Sequence, residues 1–195
     1  MAHIHGCARI ILPEPLWKEI KEHCRRKLAG DFLPDESPVP RAYGILAGSR
    51  HGDELVIDRV LPVKKNARNR EPLKSYMDQM LTRHAVPSTT PTANRGWITD
   101  PAELMECYNR CDREDLLIFG TYHMHVVAWK GDPRRDTPTR LDTLLAEKSN
   151  LFTFIISMVD ISSPSIRAFF EGDPARETPL VITDRPRYPA PHHHP

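Results

Sequence analysis

The stretch Leu116-Leu117-Ile118-Phe119-Gly120-Thr121-Tyr122-His123-Met124-His125 decides how this chain is read. It opens on a continuous apolar run, Leu116 to Gly120, the composition of a buried strand. Side chains alternate along a strand. A strand carried on to His125 therefore places His123 and His125 on one face, and turns Met124 the other way, toward the core. The two imidazoles then hang from Cα atoms about 6.5–7 Å apart. From there their nitrogens can converge on one metal ion at about 2.0–2.1 Å.

A third ligand lies downstream. Thr137-Pro138-Thr139 reads as a helix start, and Arg140 to Lys148 reads as the helix, with Leu141, Leu144 and Leu145 as its apolar stripe. Asp142 falls in the first turn, where its carboxylate can face the mouth of the strand. Two neutral histidines and one ionised aspartate leave a tetrahedral zinc ion one ligand short. Zinc lowers the pKa of water to about 7, so a site of this kind is hydrolytic. Each piece also has a plainer reading. His-x-His on a strand is a pair of half-buried polar residues, and Thr-x-x-Asp is a capping box with Asp142 facing the helix dipole. Capping and ligation are compatible, because a residue fixed by a cap is preorganised.

His-x-His, a loop and then Ser/Thr-x-x-Asp resembles the signature of the JAMM metalloproteases, also called the JAB or MPN domain. The resemblance spans about residues 6 to 171. Ala8-Arg9-Ile10-Ile11-Leu12-Pro13, with the helix through Leu16, Ile20 and Cys24, looks like that family's opening strand and helix. Tyr43-Gly44-Ile45-Leu46-Ala47-Gly48 looks like its Gly-x-Leu-x-Gly strand. Trp97-Ile98-Thr99-Asp100-Pro101 looks like the approach to the metal strand. Phe152 to Val159 and Ile166 to Phe170 look like the closing strands.

The resemblance implies an α/β fold: a mixed central sheet flanked by helices on both faces, the deaminase-like JAMM/MPN architecture. It implies His123, His125 and Asp142 as ligands of Zn2+, and Thr139 in place of the serine that steadies the oxyanion. The implied activity is hydrolysis of a peptide or isopeptide bond. The implied substrate is a protein or peptide, in particular a ubiquitin-like or sulfur-carrier protein whose extended C-terminal tail could add beside an exposed strand.

Two departures from the family's pattern bear on activity. The loop 126–138 between His125 and Thr139 is longer than the family's spacing. In it, Trp129 reads as an aromatic clamp that anchors the loop, or as part of a substrate groove. More seriously, Arg41 stands where the family carries its general-base glutamate. Arginine is always protonated and accepts no proton, and loss of a positioned base typically costs about 10²–10⁴-fold in rate. Glu36, Asp132 and Asp136 are the nearest loop carboxylates that could replace it. Two alternative readings stay open: a catalytically silent module that binds zinc or a partner, and a zinc hydrolase of small amides.

Composition sets outer bounds. A chain of 195 residues suits one domain with a full core. A net charge of +1 gives no field that favours nucleic acid or an anionic membrane. No apolar run approaches the roughly 20 residues of a transmembrane helix, and Met1-Ala2-His3-Ile4-His5 is no signal peptide. The expected location is cytoplasmic. The cysteines, Cys7, Cys24, Cys107 and Cys111, form no dense disulfide framework. Cys107 and Cys111 share a helix face and read as buried thiols.

The expected domain covers residues 1–172. A Pro-rich tail follows over 173–195, extended or disordered, and ends in His192, His193 and His194, which can chelate metal weakly. Within the domain, Ala42 to Gly48 and Glu54 to Val63 read as strands joined by the polar turn 49–53. Tyr76 to Leu81 reads as helical. Pro101 to Arg110 reads as a helix capped by Asp100, with Leu104 and Tyr108 toward the core.

Overall fold

The computed structural model describes residue 4, residues 6–88 and residues 90–184. Strand β1 (Arg9–Pro13) runs directly into helix α1 (Glu14–Ala29). Pro15 stands in the first turn of α1, where its missing N–H does no harm, and Gly30 closes the helix in the left-handed conformation at φ 77°. Trp17, Ile20 and Cys24 recur at helical spacing and are buried with Ile10, Leu12, Leu55 and Ile57. Strands β2 (Tyr43–His51) and β3 (Glu54–Pro62) make an antiparallel hairpin.

Helix α2 (Leu73–His84) and helix α3 (Pro101–Arg113) follow. The carboxylate of Asp100 caps α3 by accepting from the N–H groups of Ala102 and Glu103. Strand β4 (Leu117–His125) then enters the sheet, and helix α4 (Arg140–Ala146) follows the loop after it. Strands β5 (Phe152–Ser157), β6 (Ser165–Phe170), β7 (Glu177–Thr178) and β8 (Leu180–Thr183) complete the order.

The eight strands of the described residues belong to one mixed sheet, ordered β7-β6-β5-β4-β2-β3-β1-β8. β4 sits near its middle, antiparallel to β2 and parallel to β5. The pairing of β2 with β4 shifts register between Leu46 and Ala47, which pair with Gly120 and Ile118. This bulge at Phe119 turns its ring into the same core as Tyr122 and Met124. A second apolar cluster, Ile45, Ala47, Leu61, Val63, Cys111 and Leu116, lies under α3.

The structure corrects the expected helix-flanked, deaminase-like α/β sheet. The sheet curls until β6 approaches β8, giving a strand-dominated, nearly closed, barrel-like body with four α-helices among the described residues. α1 lies along β1 and β3, and α3 lies along β4, whereas α2 and α4 pack on one another rather than extending a covering layer. The physical source of the difference lies partly beyond residue 172. Residues 177–183 read as part of a tail because the stretch 173–195 is rich in proline, yet they supply a strand at each end of the sheet. Pro179, which has no N–H, contributes through its carbonyl, which accepts from the N–H of Ile10 at 2.8 Å. The run His192 to His194 lies outside the described residues.

Candidate metal centre

β4 delivers His123 and His125 to one face at its C-terminal end, and Met124 is buried on the other. The register with β2 sets Tyr43 opposite His123. There the Tyr43 ring lies nearly parallel to the imidazole at 6.3 Å, and Trp97 stacks on Tyr43 at 5.6 Å. This stack limits the orientation of His123. Burial pushes the Tyr43 phenol up, which keeps it protonated. The sequence reading did not find Tyr43 or Trp97 as neighbours of the site. Pairing register, which local pattern does not encode, is what brings them there.

Asp142 comes from the first turn of α4. Thr139 is the N-cap: its hydroxyl oxygen accepts from the Asp142 N–H at 3.2 Å, and Asp142 Oδ2 accepts from the Thr139 N–H at 2.7 Å. This reciprocal pair is the capping box read from the sequence, and it fixes the carboxylate. The hydroxyl proton of Thr139 is not used by the cap, so it stays available for donation.

The three side chains converge. His123 Nε2 lies 3.2 Å from His125 Nε2 and 3.3 Å from Asp142 Oδ1, and His125 Nε2 lies 3.5 Å from Asp142 Oδ2. Among the described residues this is the one cluster of its kind, with all ligand atoms within 4.8 Å of one another. The tautomer of His125 follows from its partner. Its Nδ1 faces the Arg135 carbonyl at 3.1 Å, and a carbonyl can only accept, so Nδ1 carries the proton and Nε2 presents a lone pair.

Burial lowers the pKa of His125 and favours the neutral ring. Burial also opposes the charge of Asp142, but the facing imidazoles of His123 and His125 hold its carboxyl well below the ordinary carboxylate range. Lone pairs and a negative charge thus point at a common centre, an arrangement that a cation relieves. Ligands at about 2.0–2.1 Å from a tetrahedral zinc stand about 3.3 Å from each other. The two imidazole nitrogens, 3.2 Å apart, match that spacing; Asp142 meets His123 through Oδ1 and His125 through Oδ2, and one ligand atom from each of the three residues lies within 4.8 Å of the others.

No known family model matches this chain, and no curated protein matches it. It is similar in fold to the solution structure of protein DSY2949 from Desulfitobacterium hafniense, with a TM-score of 0.61 and 20% identity. That likeness covers 94% of this chain and 99% of the other, and at this identity it bears on fold alone.

The long loop 126–138 is tied down at several points. Ser157 Oγ donates to the Arg134 carbonyl, and His125 Nδ1 donates to that of Arg135. Asp132 accepts from the Arg135 N–H at 2.8 Å and from the Thr137 hydroxyl at 2.6 Å. The Arg135 guanidinium lies over the Trp129 ring at 3.4 Å, so Trp129 anchors the loop.

The carboxylates weighed as replacement bases are all engaged. Glu36 is held by Arg26 of α1 at 2.6 and 2.8 Å and accepts from the Leu33 N–H. Asp136 pairs with Arg167 at 2.9 Å. Asp132 already accepts the two bonds described above. Arg41 stands just before β2 and donates to the Pro40 carbonyl at 2.8 Å. No helix among the described residues is long and apolar enough to cross a membrane.

Proposed function

We propose that this protein is a metal-dependent hydrolase of peptide or isopeptide bonds, with zinc as its metal. The observation that carries this reading is the convergence of His123, His125 and Asp142, two imidazole nitrogens 3.2 Å apart with a carboxylate oxygen within 3.5 Å of each. Zinc bound there would supply Lewis acidity, polarising a carbonyl and bringing the pKa of water to about 7. The residues around the centre suit that chemistry. The Arg135 carbonyl fixes His125 in the tautomer that leaves Nε2 bare. The cap of α4 fixes Asp142 and leaves the Thr139 proton free to donate to a carbonyl oxygen as negative charge builds on it. The motif's resemblance to the JAMM signature supports a ubiquitin-like or sulfur-carrier protein as substrate.

A second reading has its own observation. Arg41 occupies the expected base position, and Glu36, Asp132 and Asp136 are all committed to other partners. On that reading the domain binds metal and a partner without turnover.

The test is metal content by mass spectrometry on a chain with His192, His193 and His194 changed to Ala, so that the tail contributes nothing. About one zinc per chain, lost in both His123→Ala and Asp142→Ala, is the expected result. Absence of zinc after reconstitution would end the hydrolase reading. With zinc present, release of a peptide extension from the C-terminus of a ubiquitin-like protein separates the two readings. Turnover that disappears in Thr139→Ala and returns in Thr139→Ser supports hydrolysis; no turnover leaves the binding module.

A further inference from the structure

We propose that Arg135 anchors a carboxylate of the substrate beside the His123–His125–Asp142 centre. Its backbone carbonyl holds His125, so the residue is physically joined to the cluster. Its side chain is only 9% exposed, and its guanidinium is laid flat on Trp129. Yet Nε and Nη1 are buried and have no hydrogen-bond partner among the described residues. The nearest acid, Asp132, has Oδ2 at 3.9 Å from Nη1, beyond hydrogen-bond reach, and both of its oxygens are already accepting.

Buried donors without acceptors are unfavourable. Here they are also preorganised, because the Trp129 stack fixes the plane of the fork. Nε and Nη1 lie on different edges of the guanidinium, so a carboxylate that accepts two parallel bonds takes one of them together with Nη2. Charge sets the same limit. Asp142 and Asp132 both act on the guanidinium, and their repulsion disfavours a dianion such as phosphate more than a monoanion.

For its catalytic sense the proposal rests on the hydrolase reading, since the anchored carboxylate would place a neighbouring amide at the metal. As a binding site it does not. The carboxylate can come from a chain terminus or from an acidic side chain, and the two sources are separable.

The experiment uses the full-length chain, metal-free and zinc-loaded. N-acetylglycine carries a terminal carboxylate, the α-amide of N-acetylaspartate carries a side-chain carboxylate, and N-acetylglycinamide is the neutral control. Binding is followed by calorimetry and by the Nε–H resonance of Arg135 in ¹⁵N-labelled protein. The metal-free protein should bind one of the carboxylates and not the amide, with a shift of the Arg135 resonance. The tighter of the two identifies the source. Arg135→Gln should weaken binding at least tenfold, and Arg135→Lys less.

Wild-type affinity in folded Arg135→Gln, or binding with no shift of the Arg135 resonance, overturns the proposal. So does tighter Arg135-dependent binding of inorganic phosphate, or no binding of either carboxylate. Should Arg135→Gln fail to fold, the wild-type resonance decides alone. Failure of zinc to bind, with the Arg135-dependent binding retained, would sink the hydrolase reading and leave the anchor standing.

Discussion

His23 is one imidazole whose surroundings set an acid limit on the fold. It lies on α1 with a side chain only 4% exposed, and its Nδ1 is 2.7 Å from the Tyr122 hydroxyl. Burial, reinforced by the charges of Arg26 and Lys27 and opposed by Glu36, lowers its pKa to about 4. The folded-state pKa is depressed below the unfolded value of about 6.5. Below that value the unfolded chain takes up a proton that the folded chain refuses. The neutral ring therefore supports full stability above pH 6.5, and that contribution is lost as the pH falls toward 4. The whole loss amounts to about 3 kcal/mol. Urea unfolding across this window should show stability falling with acid, and His23→Gln should flatten the slope by about one proton. An unchanged slope in the variant would mean that His23 is not the group responsible.

At the scale of elements, the site depends on a short helix and on one glycine. α4 has only seven residues, too few to hold itself by propagation, so its capping box matters. Thr139→Ala should destabilise the protein by about 1 kcal/mol, read as a fall in Tm of about 2–4 °C, and Thr139→Ser should restore it. At Gly120 β4 lies against the backbone of β5: a Cβ there would stand 1.9 Å from the Phe152 carbonyl oxygen. Backbone cannot yield as a side-chain tip can. Gly120→Ala should therefore cost about 3 kcal/mol or more in chemical denaturation, and in NMR spectra should disturb the pairing of β4 with β5.

These elements also show what local sequence could disclose. The α1 stripe, the Asp100 cap, the β2–β3 hairpin and the Thr139–Asp142 box are short-range patterns, and each is present, although β2 runs on to His51 through most of the expected turn 49–53. Tyr108 was expected in the core on helical spacing with Leu104, yet it is exposed, because Cys107 and Cys111 turn toward the sheet instead. Arg135 could not be anticipated at all, since its meaning depends on a carbonyl meeting His125 across the loop.

For the whole molecule, the limit of the sequence reading is the sheet. β1 pairs in parallel with β8, joining Ile10 to Leu180, and no local periodicity specifies a partner so far along the chain. Long-range order is also carried by single polar residues that pattern reading treats as surface. Lys64 to Arg70 has the composition of a basic, solvated loop, yet Arg68 within it is completely buried. Its guanidinium donates to the carbonyls of Thr92 and Arg95 at 2.8 Å each, to Asn69 at 2.9 Å and to Asp78 on α2 at 2.6 Å. One side chain thus fastens α2 and the turn at 92–95 to the loop that follows β3.

Asp78 is about one-third exposed and keeps Lys74 as a second partner, so losing Arg68 would not strand a fully buried charge. The carbonyls of Thr92 and Arg95 would lose a charged donor. Arg68→Met should therefore destabilise the fold by about 2–3 kcal/mol, rather than the larger loss of a sealed ion pair. That loss should be local. Hydrogen exchange should accelerate along α2, from residue 73 to 84, while the central strands β4 and β5 keep their protection. Uniform acceleration across the molecule would show instead that Arg68 supports the entire body, and that the α2 segment and the sheet open as one unit.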